Sequence, residues 1–341
     1  MHSVLGALRA HRLASTSMQV DRYLVDNGHG WRLALNRYRH SQRTGREAQS
    51  RGRPVLIVPG YGMNSFIFSF HPSGPSMVEC LTARGLEVWT VDLRGQGRSI
   101  RARGTNRYGI ADLAIEDLGA AIRHVLSTTT TGSTKLDLIG CSLGTALSFA
   151  HVAVVENAPV HAIVSMAGLV TWREAHPLVR FAFGSPKLAG MIRIRNTRRL
   201  ARVALPVVCR VAPSLMSVYI NERSTDFSQV ARMVQTVEDP HPVINREIAE
   251  WIRRGDLVVR GVNVSRRLPE MKHPFFCVIA KDDGIVLPAT ARHTYDTIGS
   301  PRKEILFVGD PDMPIGHADL FLCKGAQPRV FAPIADFLLG V

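Results

Sequence analysis

The feature that most constrains the fold of this 341-residue chain is a regular alternation of short apolar runs with helix-like segments. Residues 54–59 and 86–91 are apolar runs of strand length, and Gly60 and Asp92 follow them directly. Residues 111–126 repeat their apolar side chains at helical spacing, with acidic residues early and Arg123 late. Strands and helices that alternate in this way predict an α/β fold, with a mostly parallel central sheet flanked by helices.

The other segments of the chain follow the same rhythm until residue 170. Further strands are predicted over residues 18–25, 30–40, 135–139, 160–167, 275–280 and 304–308, and further helices over residues 75–84, from Gly140 to about residue 155, and over 328–339. Residues 170–268 contain helical patterns and several prolines but no convincing strand alternation. We therefore predict one core built from residues 1–169 and 269–341, with residues 170–268 inserted as a helical cap. A short amphipathic surface helix is also considered over residues 3–14.

Composition excludes several classes of protein. Apolar residues make up 45% of the chain and charged residues 21%, which is ordinary for a globular protein and excludes collagenous or wholly disordered chains. No apolar run reaches the ~18 residues of a transmembrane helix. The five cysteines are scattered without a CxxC pair, and no HExxH spacing occurs, so neither a metal nor another cofactor is predicted. Because the apolar run over residues 4–8 is too short for a signal-peptide core, the expected location is the cytoplasm.

The charge of the chain is strongly positive, at +14. Residues 1–54 carry ten arginines against three acidic residues, and residues 171–220 carry nine basic residues against Glu174 alone. Such a field attracts nucleic acid, anionic lipid or anionic substrates, although an Arg-rich genome would produce the same excess without any partner. Because no nucleic-acid-binding motif accompanies the arginines, we do not expect nucleic acid as a partner.

The sharpest motif is Gly-Cys-Ser-Leu-Gly at residues 140–144, which follows a predicted strand and opens a predicted helix. A nucleophilic serine needs such a turn because the turn exposes the hydroxyl of Ser142, while the small glycines let neighbouring backbone approach. The helix N-terminus also favours the negative charge that develops in acyl transfer. The alternative is a serine in an ordinary tight turn.

With this motif, the sequence resembles the α/β-hydrolase superfamily over nearly its whole length. Residues 59–64, Pro-Gly-Tyr-Gly-Met-Asn, resemble the family's His-Gly-x-x oxyanion loop, with Pro59 where histidine is common. Residues 92–99 are similar to the family's structural D-x-R-G-x-G-x-S loop, which Arg94 can anchor. The resemblance implies that the backbone N–H groups of Tyr61 and Leu143 form an oxyanion hole.

The same resemblance implies an acid and then a histidine further along the chain. Residues 276–288 resemble the strand end that carries the acid, and aligning Ala280 with the family's usual glycine places the acid at Asp283, with Asp282 as the alternative. Residues 314–321 resemble the Gly-His loop before the last helix, which places the base at His317. The 34 residues from Asp283 to His317 leave room for one helix, one strand and a loop.

Hydrolysis with a serine nucleophile explains why these three residue types would be needed together. A serine hydroxyl is a weak nucleophile, so a neutral imidazole such as that of His317 must take its proton and later return it to the leaving alkoxide. The carboxylate of Asp283 would orient the ring and stabilise the imidazolium. The expected activity is therefore cleavage of carboxylic esters through an acyl-enzyme on Ser142, without a cofactor.

The cap is where substrate choice is expected to lie. Residues 203–220 are nearly apolar, which favours a small-molecule or lipid ester with a medium-to-long acyl chain. Candidates for lining an acyl pocket, if they do not simply form a small cap core, are Trp172, Phe181, Phe183, Met191, Met216 and Tyr219. Five arginines adjoin this stretch, which raises the hypothesis of a peripheral contact with an anionic membrane. They are Arg193, Arg195, Arg198, Arg199 and Arg202.

Other functions on the same fold are weighed against this one. The nearest alternative is an acyltransferase or thioesterase, which differs only in the nucleophile that reaches the acyl-enzyme or in the acyl donor. The segments around Asp92 and Ser142 also resemble polyhydroxyalkanoate synthases and depolymerases, but such synthases carry cysteine at the nucleophile position. Epoxide hydrolases and dehalogenases need an aspartate there, so Ser142 excludes their chemistry. A non-catalytic binding protein would be expected to have lost Ser142, the acid or His317. The sequence predicts no oligomeric state.

Overall fold

Residues 18–40, 52–212 and 216–341 are described by the computed structural model, so the helix considered over residues 3–14 lies outside the described residues. Their strands form one large sheet and a separate two-stranded ribbon. The strands are β1 (Met18–Asp26), β2 (Trp31–His40), β3 (Val55–Val58), β4 (Val88–Asp92), β5 (Ile100–Arg101), β6 (Leu136–Cys141), β7 (Val160–Met166), β8 (Val258–Val259), β9 (Val262–Asn263), β10 (Phe275–Ala280) and β11 (Lys303–Val308).

The large sheet is mixed but mostly parallel. Within the described residues its order is β1-β2-β4-β3-β6-β7-β10-β11, with the short strand β5 paired to β2. All neighbours from β4 to β11 in that order pair in parallel, whereas β1, β2 and β5 pair antiparallel. Every residue of β3, β4, β6 and β10 is buried, which explains why these strands are continuous apolar runs in the sequence. The predicted α/β sheet is confirmed.

Helices cover both faces of this sheet. The α-helices are α1 (Met77–Ala83), α2 (Leu118–Thr128), α3 (Leu143–Val154), α4 (Pro177–Phe183), α5 (Pro186–Ala189), α6 (Thr197–Val211), α7 (Val230–Met233), α8 (Pro242–Arg254), α9 (Val264–Arg267), α10 (Pro288–Thr297), α11 (Asp319–Leu322) and α12 (Ala332–Gly340). Alternate residues of β3 belong to two separate hydrophobic cores. Leu56 belongs to the core that contains residues of α2 and α3, and Ile57 belongs to the core that contains residues of α1 and α12. Helices are present where the sequence predicts them over residues 111–126 and 328–339. Each begins with a π-helical turn, Asp112–Asp117 before α2 and Gln327–Phe331 before α12.

The segment between β7 and β10 contains α4 to α9 and lies outside the large sheet. The sequence predicts no strand there, yet β8 and β9 form an antiparallel ribbon. The two residues between them, Arg260 and Gly261, both have positive φ, as a tight hairpin turn requires. Strands of two residues are too short to show alternation, so the sequence pattern missed them. No helix in the described residues is long and apolar enough to cross a membrane. The boundaries 1–169, 170–268 and 269–341 stay a prediction.

A buried ion pair anchors the loop that follows β4. Asp117 is fully buried, and its carboxylate accepts hydrogen bonds from the guanidinium of Arg94 at 2.7–3.0 Å and from the Arg94 backbone N–H at 2.9 Å. The side-chain amide of Asn27 donates to the same carboxylate at 2.7 Å. This loop is the one that resembles D-x-R-G-x-G-x-S, and the pair ties it to the start of α2.

We expect Asp117→Asn to lower the free energy of unfolding by about 3 kcal/mol, because it removes the main counter-charge of a buried guanidinium. The matched control is Asp296→Asn, which breaks the exposed pair of Arg292 and Asp296 on α10. The control should change the same quantity by less than about 0.5 kcal/mol. Urea unfolding measures both, and equal effects would contradict the structural role of Asp117.

Candidate active site

The sheet brings the residues singled out in the sequence to one edge. Ser142 follows β6, Asp283 lies just beyond β10, and His317 lies in the segment after β11. Because these strands are parallel, their carboxyl ends meet at the same edge, where ligands bind in open α/β sheets. Tyr61 follows β3, the neighbour of β6 in the sheet, at the same edge.

The turn at Ser142 has the geometry of a nucleophile elbow. Ser142 has φ 53° and ψ −118°, an uncommon conformation for a residue other than glycine, and it directly precedes α3. Its backbone N–H donates to the carbonyl of Met166 on β7 at 2.9 Å, which fixes the turn to the sheet. A Cβ atom at Gly144 would lie 2.2 Å from the carbonyl oxygen of Val58, so only glycine lets α3 start this close to β3.

The ring of His317 is hydrogen-bonded to the carboxylate of Asp283. The two atoms joined are His317 Nδ1 and Asp283 Oδ2, at 2.7 Å, and both residues are buried. The other oxygen of Asp283 accepts the backbone N–H groups of Ile285 and Val286 at 2.8 and 2.9 Å. A carboxylate oxygen accepts, so Nδ1 is the donor of this hydrogen bond, and Nε2 has no hydrogen-bond partner among the described residues.

Asp282, the alternative acid, has a different set of contacts. Its carboxylate accepts the backbone N–H of Ile315 at 3.1 Å, and its own N–H donates to the Ile315 carbonyl at 2.9 Å. Asp282 therefore holds the segment that leads to His317 without touching the imidazole. Of the two neighbouring carboxylates, Asp283 is the one in contact with the ring.

Ser142 and His317 share the sheet edge but are not hydrogen-bonded to each other in the part of the chain that the structure describes. Hydrogen bonds between a nucleophile and its base are often long before substrate binds and shorten in the complex. The structure thus joins the histidine directly to Asp283 and places the serine at the same sheet edge, after β6, which is separated from β10 by β7.

The loop that carries Tyr61 passes directly against the elbow. A Cβ atom at Gly60 would lie 2.9 Å from the Cβ of Ser142, so a larger residue there would push the loop away. Within the described residues, the backbone N–H groups of Tyr61 and Leu143 donate to no other group. Two unpaired N–H groups beside a serine can donate hydrogen bonds to the oxyanion of a tetrahedral intermediate and stabilise its charge.

Helix α8 and the segment before it hold this loop in place. The hydroxyl of Tyr61 donates to the side-chain carbonyl of Asn245 on α8, and burial raises the pKa of the Tyr61 phenol. The carbonyl of Gly62 accepts the backbone N–H of Glu238 at 2.9 Å, and the carboxylate of Glu238 accepts the amide of Asn64 at 2.5 Å. Burial is the main cause that raises the pKa of Glu238. The sequence analysis missed Asn245 and Glu238, because no motif surrounds either residue.

Asp319 is a second buried carboxylate close to His317 that the sequence analysis left without a role. It accepts the backbone N–H groups of Gly316 at 2.7 Å and Asn221 at 2.9 Å, and the hydroxyl of Thr225 at 2.5 Å. Burial raises the pKa of Asp319 to about 6. Its position two residues after His317 was the signal in the sequence that could have identified it. Its contacts show that it fixes the turn that carries the histidine.

An apolar cavity lies beside His317. It encloses about 590 Å³ of empty space, part of it open to solvent, and its walls include Ala318, the residue after His317. The ring of Tyr219 also lines it and lies 5.8 Å from the imidazole, measured between ring centres. The other walls are mostly aliphatic and aromatic side chains. They are Phe66, Ile67, Phe70, Leu205, Cys209, Met216, Ile220, Phe227, Val230, Met233, Val234, Thr236, Val237 and Leu322.

Only two of the six side chains considered for an acyl pocket line this cavity, namely Met216 and Tyr219. Phe181 and Met191 are instead 90% and 66% exposed. Trp172 packs edge-on against Trp251, and it shares a separate shallow depression with Phe183. These four side chains therefore do not line this cavity, because apolar character alone does not show which side of the segment between β7 and β10 a side chain occupies. No group of three or more metal-ligating side chains occurs among the described residues.

Comparison with known proteins gives a consistent family and fold. The model of the Hydrolase_4 family, described as serine aminopeptidase, S33, matches residues 49–308. Triacylglycerol lipase 1 of Arabidopsis thaliana is 24% identical over 369 aligned positions, which cover 98% of this chain and 91% of the lipase.

Solved structures with this fold include two hydrolases. A soluble variant of monoglyceride lipase from Saccharomyces cerevisiae, in complex with a substrate analogue, superposes with a TM-score of 0.63 at 16% identity and covers 96% of each chain. An esterase from Exiguobacterium antarcticum superposes with a TM-score of 0.60 at 14% identity, over 93% of this chain and 98% of the esterase. At these identities the likeness concerns the fold.

The raised pKa of Asp319 predicts a pH-dependent stability. Between about pH 4 and pH 6 the folded protein keeps a proton that the unfolded chain, with an ordinary pKa of 3.8, has lost. The stabilisation is therefore present at low pH and lost as the pH rises through about 6. Relative to Asp319→Asn, the unfolding free energy of the wild type should fall by about 3 kcal/mol between pH 4 and pH 7. Denaturant unfolding across this range measures it, and a pH-independent difference would contradict it.

Proposed function

Because this chain belongs to the Hydrolase_4 (serine aminopeptidase, S33) family of the α/β-hydrolase superfamily, we propose that it is a serine hydrolase that cleaves carboxylic esters. In this proposal Ser142 is the nucleophile, His317 the base and Asp283 the acid. The observation that carries the proposal is the buried His317–Asp283 hydrogen bond at the sheet edge where Ser142 occupies a strained elbow.

The proposed reaction uses each group at a defined atom. Ser142 Oγ attacks the ester carbonyl while His317 Nε2 takes its proton, and Asp283 stabilises the imidazolium. The N–H groups of Tyr61 and Leu143 would stabilise the oxyanion, each contributing roughly 3–4 kcal/mol at the transition state. His317 then returns the proton to the departing alkoxide, which leaves an acyl-enzyme on Ser142. Water, deprotonated by His317, adds to this acyl group and releases the carboxylic acid and the free serine.

The cavity beside His317 supports an acyl substrate of medium to long chain length. Its walls are apolar and include no carboxylate, so they would stabilise an alkyl chain by burial. A peptidase that recognises a free amino terminus would need an acidic side chain near the scissile bond, and the cavity walls supply none. The lipases named above point the same way. We therefore propose a lipid-like ester as the substrate class.

The proposal also covers the acceptor of the acyl group and the cellular location of the protein. An acyltransferase or thioesterase would use the same acyl-enzyme with a different acceptor or donor, and it is the alternative function. The partner proposed is a small-molecule or lipid ester, and the location is the cytoplasm with a peripheral contact to an anionic membrane.

Replacement of the nucleophile tests the proposal directly. We expect the wild type to hydrolyse p-nitrophenyl esters, with a preference within a ladder of acyl chains from two to sixteen carbons. Ser142→Ala should lose about 10⁴-fold or more of kcat/KM, because no other group can form the acyl-enzyme. If the wild type hydrolyses none of these esters, ester hydrolysis is contradicted and acyl transfer or thioester cleavage takes its place.

Two neighbouring carboxylates provide a matched test of the acid. Asp283→Asn should lower kcat by about 10⁴-fold, because an amide would stabilise the wrong tautomer of His317. Asp282→Asn should keep kcat within about tenfold, since it removes a single backbone contact. Steady-state kinetics on the preferred ester distinguishes the two, and equal losses would refute the assignment of Asp283.

A further inference from the structure

Helix α6 (Thr197–Val211) is apolar on two opposite sides, and none of its residues is buried. On its inner side, Leu205 and Cys209 form part of the cavity wall. On its outer side, Leu200, Val203, Val207 and Val211 are 58–76% exposed and recur at helical spacing as one stripe. A helix that only covered the cavity would need polar residues on the outer side, so the outer stripe requires a separate explanation.

The outer stripe continues into neighbouring parts of the cap. Residues 178–194 add six more large exposed hydrophobic side chains, with Phe181 on α4 90% exposed and Leu188 on α5 65% exposed. We call the exposed hydrophobics of residues 178–211 the cap apolar surface. They are ten of the sixteen exposed large hydrophobics in the described residues, although they come from a tenth of the chain. A concentration of this kind marks an interaction site.

Arginines occur between these hydrophobic residues in the sequence, and their positive charge indicates the chemistry of the partner. Five of them, Arg193, Arg195, Arg199, Arg202 and Arg210, are exposed and form no ion pair with any described residue. Arginine side chains can extend from an apolar surface and leave their charges at the level of lipid phosphates. A second copy of this strongly basic chain would be repelled, whereas an anionic bilayer complements both the charge and the apolar stripe.

We propose that the cap apolar surface docks the enzyme onto an anionic lipid bilayer, with α6 lying in the plane of the membrane interface. Its 15 residues span about 22 Å, a length suited to lying in the interface and too short to cross the bilayer. Asp239 fixes the start of the helix by accepting the backbone N–H groups of Asn196 and Thr197 at 3.1 and 2.7 Å. These two bonds fix the start of α6 from within the protein, without a lipid contact.

This docking has a consequence for substrate delivery, which rests on the proposed function. The outer side of α6 carries the docking stripe, and its inner side forms part of the cavity wall. An acyl chain that leaves the bilayer beside α6 therefore needs to move only about the width of one helix to reach the cavity. The substrate class that this arrangement favours is an ester of a membrane-resident lipid.

Vesicle sedimentation at low salt tests the docking independently of catalysis. The probes are vesicles of phosphatidylcholine alone and vesicles in which about a third of the lipid is phosphatidylglycerol. The wild type and Ser142→Ala should bind the anionic vesicles equally, and at least about tenfold more tightly than the neutral ones. Val203→Gln/Val207→Gln and Arg199→Gln/Arg202→Gln should each weaken this binding by about tenfold. Thermal unfolding checks that the variants are folded.

The matched control is Ile100→Gln on β5, a position that is 50% exposed and outside the cap. It should bind anionic vesicles like the wild type. If neither vesicle retains the protein, or if Val203→Gln/Val207→Gln binds like the control, the docking proposal is overturned. The same holds if the cap variants only convert a dimer to a monomer, because a second copy would then be the occupant. Loss of ester hydrolysis in Ser142→Ala is a separate readout, so either proposal can fail alone.

Discussion

The parallel pairing of six strands between two hydrophobic cores is the constraint on which the rest of the structure depends. Because β3, β6, β10 and β11 run in the same direction, the residues that follow them meet at one edge of the sheet. The His317–Asp283 hydrogen bond can form only because neighbouring strands deliver its two partners to that edge. The fully buried strand β6 and the hydrogen bond from the Ser142 backbone to β7 also hold Ser142 in a conformation that a flexible turn would leave.

The large sheet and the segment between β7 and β10 both contribute contacts to the candidate site. The loop that follows β3 is held from outside the sheet, by Asn245 on the Tyr61 hydroxyl and by Glu238 on the backbone of Gly62 and the side chain of Asn64. A change in the cap would therefore be felt at the N–H groups proposed as the oxyanion hole. Thr236 and Val237, the two residues before Glu238, line the cavity, so one segment of the chain both bounds the cavity and holds the loop that carries Tyr61.

The positive charge of the chain has different roles in different places. Arg94 is buried against Asp117 and stabilises the core, and Arg198 pairs with Glu238 beside the candidate site. Apart from Arg198, the arginines of residues 193–210 form no ion pair with any described residue, and exposed valines and leucines lie between them. An excess of arginine that came only from genome composition would not explain this coincidence of unpaired charge with an exposed apolar stripe.

The sequence by itself determined the order of the longer strands of the large sheet, because buried parallel strands are local patterns, whereas the two-residue strands β5, β8 and β9 were missed. It also singled out Ser142 and His317, whose neighbours form local motifs. Only the tertiary structure decided that Asp283 rather than Asp282 contacts the histidine, because adjacent residues on an irregular turn point in different directions. The tertiary structure alone likewise revealed the contact of Glu238 with a loop 174 residues earlier in the chain and the exposure of Phe181. Such contacts depend on packing between distant segments, which no local periodicity records.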